Sequence, residues 1–219
     1  MLRIAVADDH ILFRKSLKLL IASFGDMEVV AGASNGKELL EKLETVSVDI
    51  LLLDLQMPEM DGFETCQKVN ELYPDIKILV LTLRDDAETI REVMKLGIHG
   101  YFTKNTDPSE LKNAILKLND DGFYFEKSLT SIIEDILDYP SMESETIKPL
   151  VFSDREMEIV RLTLKEYSGS EIAVKLNISP KTVEKHKRNL MERVESKNFI
   201  GVITYALLHD LLSLNELKI

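Results

Sequence analysis

The chain has 219 residues, 45% of them hydrophobic and 30% charged, an ordinary composition for a globular protein able to bury a core. No apolar run approaches the roughly 20 residues needed to cross a bilayer. The N-terminus lacks a signal peptide's basic head and cleavage site, and the lone Cys66 excludes an intrachain disulfide, so a cytoplasmic protein is expected. The net charge of −11 argues against nucleic acid only if it is spread evenly, and it is not. Leu150–Ile219 holds 11 basic and 10 acidic residues, which leaves 16 basic and 28 acidic to the rest.

In chain order, Arg3–Ala7, Glu28–Gly32, Asp49–Asp54, Ile76–Thr82 and Ile98–Thr103 read as five buried strands. Between them lie apolar residues at helical spacing: Leu12, Leu17, Leu20 and Ile21; Leu39, Leu40 and Leu43; Ile90, Val93 and Met94; Leu111, Ile115 and Leu118. Asp107-Pro108 supplies an N-cap and an N1 proline. Strict alternation predicts an α/β domain over residues 1–124, with a five-stranded parallel sheet covered on both faces. Residues 125–149 read as a linker. It has a helix through Leu129, Ile132, Ile133, Ile136 and Leu137, then a joint from Tyr139 to Pro149. Residues 150–219 are predicted all-α with four helices. Ser153-x-x-Glu156 and Ser168-x-x-Glu171 are capping boxes, Ser179-Pro180 starts a third helix, and the fourth runs from about Lys197 to Leu212.

In an open α/β sheet, chemistry collects at the carboxyl ends of the strands. Asp8, Asp9, Asp54, Thr82 and Lys104 fall there. An Asp-Asp pair alone also reads as a helix N-cap. Crowded carboxylates call for a cation, and Mg²⁺ with oxygen ligands suits them. Asp54 as nucleophile, Lys104 as fixed charge and Thr82 as hydroxyl donor suit phosphoryl transfer to a carboxylate. Gly32–Glu38 resembles a P-loop but is one residue short, and reads as a loop entering the second helix.

Val6-Ala7-Asp8-Asp9-His10, Leu53-Asp54-Leu55-Gln56-Met57-Pro58-Glu59-Met60-Asp61-Gly62, Leu81-Thr82 and Gly100-Tyr101-Phe102-Thr103-Lys104 resemble the signature segments of CheY-like receiver domains. The resemblance implies a flavodoxin-like fold. It also implies Mg²⁺ held directly by Asp9 and Asp54, by the Gln56 carbonyl, and by Asp8 through water. Thr82 and Tyr101 would form a switch pair, and a sensor histidine kinase would donate the phosphoryl group. Leu83 is bulkier than the residue many receivers carry after the switch threonine, and Gln56 and Arg84 occupy positions that influence hydrolysis.

In the last segment, two short helices joined at Asn177-Ile178 form a helix-turn-helix pattern. The second carries Lys181, Lys185, Lys187, Arg188 and Arg193, with Lys181, Lys185 and Arg188 on one face. Phe152–Glu156, Ser170–Ala173 and Ile178–His186 resemble a LuxR-type helix-turn-helix. Receiver plus this module is the NarL/FixJ class. By that resemblance Lys181 and Thr182 touch DNA phosphates, Glu184, Lys185 and Arg188 face bases, and Lys187 is counted among the DNA-contacting residues. Glu166 and Val194-Glu195-Ser196 depart from the usual loop residues. In the final helix Ile200, Ile203, Leu207 and Leu211 form an apolar stripe; about half of it is expected to pack on the helix-turn-helix core, and by the resemblance the remainder would pair two subunits in an active homodimer. The expected function is a phosphorylation-controlled, DNA-binding transcription factor with no enzymatic turnover of a separate substrate. A phosphorelay or scaffold protein without DNA binding is the alternative. A dehalogenase-like hydrolase is disfavoured, because it wants a second aspartate where Gln56 stands.

Overall fold

The apolar runs form parallel strands. These are β1 (Leu2–Ala7), β2 (Met27–Ala33), β3 (Ile50–Asp54), β4 (Lys77–Thr82) and β5 (Gly100–Thr103), joined by a two-residue edge strand β6 (Tyr124–Phe125). The order is β2-β1-β3-β4-β5-β6 with every pairing parallel. The computed structural model describes residues 1–83, 89, 92–93, 96–105, 107–125, 150–165, 167–209 and 211–212. The helix and joint expected between Leu129 and Pro149 lie outside them, as do Arg84, Ile90, Met94 and Glu166. Two units divide the chain, Met1–Glu126 and Lys127–Ile219.

In the first unit, α1 (Ile11–Ser23) and α4 (Pro108–Asp121) bring Leu17, Ile21, Leu111, Ala114, Ile115 and Leu118 to a core with Ile4, Val6, Ile50, Leu52, Leu79, Leu81 and Phe102. The alternate strand residues Ala5, Leu51, Leu53, Ile78 and Val80 point the other way and are buried too. There α2 (Gly36–Leu43) and α3 (Gly62–Leu72) supply Leu39, Leu43, Cys66 and Val69. Burial on both faces is why these strands read as unbroken apolar runs. The α1 stripe is narrower than its sequence pattern, since Leu12 in the first turn faces solvent. Gly36 opens α2 behind the Asn35 N-cap, against Met60 and Thr65, so the P-loop-like stretch is a helix-entry loop.

His99, just before β5, has a structural role. Its Nδ1 accepts from the Ile78 N–H at 3.2 Å, and burial, with Lys77 nearby, pushes the imidazole down to about 4. The fold therefore holds the ring neutral, and the unfolded chain takes the proton first. Stability falls as pH drops from about 6.5 towards 4, by up to about 3 kcal/mol. Denaturant melts of His99→Asn, which keeps an acceptor near Nδ1, are expected to show a shallower loss than the native chain over that window. Equal slopes would remove His99 as the cause.

In the second unit, α5 (Asp154–Leu164), α6 (Gly169–Leu176), α7 (Pro180–Val194) and α8 (Phe199–Leu208) match the four expected helices. Both capping boxes close, Ser153 with Glu156 and Ser168 with Glu171. Between α6 and α7 the chain turns at Asn177 in the left-handed region, which asparagine tolerates, and Ser179 caps α7. Glu195 also takes the left-handed conformation, at φ 56°, where glycine would sit without strain. No helix among the described residues is long and apolar enough to cross a membrane.

Candidate metal centre and nucleic-acid interface

Parallel register assembles the first site. Ala7 pairs with Leu53, Asp54 with Leu81 and Thr82 with Thr103, so the carboxyl ends of β1, β3, β4 and β5 lie side by side. The strand order reverses between β1 and β3, where a doubly wound sheet opens its ligand crevice. Asp8 and Asp9 follow β1, Asp54 ends β3, Thr82 ends β4, and the Lys104 N–H donates to the Thr82 carbonyl at 2.8 Å.

Asp8 and Asp54 are buried to 1% and 4% exposure, and Lys104 Nζ lies 2.7 Å from an oxygen of each. The His10 N–H donates to the other Asp8 oxygen at 2.7 Å. Burial pushes the Asp54 carboxyl up, opposed by Lys104, with the Asp8 charge adding to the rise. The three carboxylates outnumber the one ammonium by two charges. Asp9 Oδ1 is buried and accepts no hydrogen bond among the described residues. Ligand atoms of Asp8, Asp9, His10 and Asp54 lie within 4.8 Å of one another. A hard divalent cation such as Mg²⁺ fits this donor set and charge deficit. Gln56 is exposed, and its N–H approaches Asp54 Oδ1 at 3.4 Å. Thr82 and Tyr101 are both buried, and the bulky Leu83 is 61% exposed.

Three neighbours of this site carry no family-independent signal in the sequence. Phe13 lies under Lys104, with Nζ 4.8 Å from the ring centroid, and Arg14 Nη1 donates to the Asp8 carbonyl. Gly62 is required by close approach. A Cβ there would stand 2.3 Å from the Asp54 carbonyl oxygen and 2.5 Å from Leu55 Cα, so any side chain would push on the backbone that holds Asp54.

The helix-turn-helix is built on a buried stripe of α7, Val183, Lys187 and Leu190, facing Ile172 and Ala173 of α6. On the opposite face Lys181, Glu184, Lys185 and Arg188 are exposed, and Thr182 is half-buried with its hydroxyl 2.8 Å from Ser179 Oγ. Lys187 does not share that face. It occupies a core position, 3% exposed, with Nζ 5.2 Å from the Phe199 ring centroid. Its stem packs while its ammonium meets an aromatic face, so it cannot reach DNA as expected. Arg193 is likewise occupied, bonding Glu156 at 2.8 Å and the Val151 carbonyl at 2.5 Å.

Residues 4–116 match the response regulator receiver domain, and residues 150–206 match bacterial regulatory proteins of the luxR family. The chain belongs to the response regulators. It is 36% identical over 218 residues to the oxygen regulatory protein NreC of Staphylococcus epidermidis, covering 96% of this chain and 99% of that protein. NreC of Staphylococcus carnosus is 35% identical over 215 residues, with the same coverage. Among solved structures, a complex of the response regulator RcsB with DNA matches with a TM-score of 0.57 at 25% identity. It covers 93% of this chain and 96% of that one. RcsB of Salmonella typhimurium, at 24% identity, has a TM-score of 0.57 over 94% of this chain and 98% of that one, which supports the fold alone.

In this response regulator the final helix gives more of its stripe to the core than the half expected. Ile200, Ile203 and Leu207 are buried within the Lys127–Ile219 unit, with Phe199, Val202 and Ala206, while Leu211 is half-buried. Most of the stripe is this unit's own core, because α8 packs on both α5 and α7, and Leu211 remains the most exposed of its four residues. The Leu208 side chain lies outside the described residues.

Proposed function

We propose that this response regulator is switched by phosphorylation of Asp54 and binds DNA through the exposed face of α7. The observation carrying the first half is the buried Asp54 carboxylate held 2.7 Å from Lys104 at the strand-order reversal. An Asp54 oxygen attacks phosphorus, the P–N bond to the donor histidine of a sensor kinase breaks, and an acyl phosphate forms. Asp9, Asp54 and the Gln56 carbonyl would hold Mg²⁺ directly, with Asp8 acting through water, and the ion when bound would neutralise charge on the transferred oxygens. Lys104 pairs with the phosphoryl oxygens, and Thr82 donates its hydroxyl to one of them. Tyr101, buried on the adjoining strand, relays that movement to the receiver surface. Self-catalysed phosphorylation and dephosphorylation at this centre are the only reactions assigned to the chain.

For DNA, Lys181 and Thr182 fit phosphate contacts, and Glu184, Lys185 and Arg188 fit base edges from a helix lying in the major groove. The DNA complex of the similar RcsB supports this reading over a phosphorelay protein that never meets DNA. Two copies on paired half-sites would supply the affinity that one short helix lacks. Intact-mass spectrometry after acetyl phosphate and Mg²⁺ tests the chemistry. One added phosphoryl group, prevented by EDTA, is expected, and uptake that ignores EDTA would contradict the metal assignment.

A further inference from the structure

One group at the acidic corner has no part in phosphoryl transfer as proposed above, the His10 imidazole. His10 stands at the N-cap of α1 but makes no side-chain capping hydrogen bond. Its main chain is pinned instead, its N–H donating to Asp8 Oδ1 at 2.7 Å. The ring's Nδ1 is thereby brought 2.8 Å from Asp9 Oδ1 and 3.4 Å from Asp8 Oδ1. Close as they are, Nδ1 and Asp9 Oδ1 form no hydrogen bond, and that oxygen is buried and accepts none from any described residue. Two adjacent ligands of an octahedral ion, each about 2.1 Å from it, stand about 3 Å apart. The 2.8 Å separation of Nδ1 from Asp9 Oδ1 is close to that edge.

We propose that the acidic centre is a mixed nitrogen–oxygen site, in which His10 Nδ1 joins Asp9 and its neighbours around a divalent transition ion. Mg²⁺ gains little from imidazole, whereas Mn²⁺, Co²⁺ and Ni²⁺ gain progressively more from a nitrogen donor, and Zn²⁺ is favoured too. The chain therefore takes such ions in preference to Mg²⁺ at the centre where Asp54 is phosphorylated, and its phosphoryl uptake depends on which ion is present. This rests on the reading of Asp9 and Asp54 as metal ligands, and adds His10 to them. His10 is 68% exposed, so an incoming ion reaches Nδ1 without opening the core.

Pulsed electron paramagnetic resonance of the full-length chain loaded with Mn²⁺ reads the ligand directly. Nitrogen-14 modulation from one coordinated imidazole is expected, and excess Mg²⁺ should displace the ion that carries it, which separates this site from His99, His186 and His209. His10→Asn offers a helix N-cap and an oxygen near the Nδ1 position. In that variant the modulation should vanish and calorimetric Ni²⁺ affinity should fall about tenfold or more, while Mg²⁺ affinity changes less than about threefold. Mn²⁺ that binds and is displaced by Mg²⁺ without nitrogen coupling would overturn the role of His10 and leave the Mg²⁺ site standing. Failure of both ions to bind would overturn the metal site itself.

Discussion

Asp54→Asn is expected to take up no phosphoryl group from acetyl phosphate and Mg²⁺, where the native chain gains one. The amide oxygen that replaces the carboxylate bears no charge and is a poor nucleophile, and Asp8 cannot substitute for it. One Asp8 oxygen accepts from the His10 N–H and the other is held by Lys104. The loss should come without unfolding. Burial raises the Asp54 carboxyl above its unfolded value, more than Lys104 lowers it. A carboxyl shifted that way loses stability as pH rises from its unfolded value through the raised folded one, so burial makes its charged form the costlier one to hold. The neutral asparagine should therefore melt no lower than the native chain in EDTA. A variant that is folded but inert places the chemistry on Asp54, whereas undiminished uptake would move it elsewhere.

The second large effect concerns α7. Replacing Lys181, Lys185 and Arg188 together by alanine should reduce DNA affinity on the order of a hundredfold or more at low salt. It should also flatten the slope of log affinity against log salt by about 1, since Lys181 alone of the three is placed on a phosphate and each lost phosphate neutralisation removes about 0.9. All three side chains are exposed on one face, so melting of the unit should barely change. Singly, Lys181→Ala should weaken all sequences alike, while Arg188→Ala should cost roughly 1–3 kcal/mol at one base position and leave others intact. Lys187 provides the contrast: its removal disturbs packing on Phe199 and should lower the melting temperature instead. Mobility shifts over a salt series, alongside thermal melts, distinguish these outcomes.

The sheet was legible because strands buried on both faces carry unbroken Ile, Val and Leu runs, and because chemistry in such a sheet gathers where those runs end. Asp8, Asp54, Thr82 and Lys104 could be found by counting to the end of each run. The helix starts were legible from Ser153, Ser168 and Ser179, whose capping hydrogen bonds are local. What depends on tertiary contact was not. Lys187 sits at i+4 from Val183 and i−3 from Leu190, a core position, yet its charge placed it with the exposed cations. Only the packing of Phe199, twelve residues on, reveals why a lysine is accommodated there. The α8 stripe could be divided between core and surface only by packing, since a helix buried on several sides also shows apolar residues at i, i+3 and i+7. Gly62, Phe13 and Arg14 act through approaches to Asp54, Lys104 and Asp8 that no spacing encodes. The edge strand β6, at two residues, is too short to carry a periodic pattern.

The central claim joins the two units: phosphorylation at Asp54 controls DNA binding by α7. Fluorescence anisotropy with a labelled duplex selected from genomic fragments by the protein's own binding measures it, comparing native and Asp54→Asn protein with and without acetyl phosphate and Mg²⁺. Affinity that rises on phosphorylation of the native chain, and stays unchanged in Asp54→Asn, is the predicted result. Equal affinity in all four conditions, with phosphorylation of the native chain verified by mass, would contradict it.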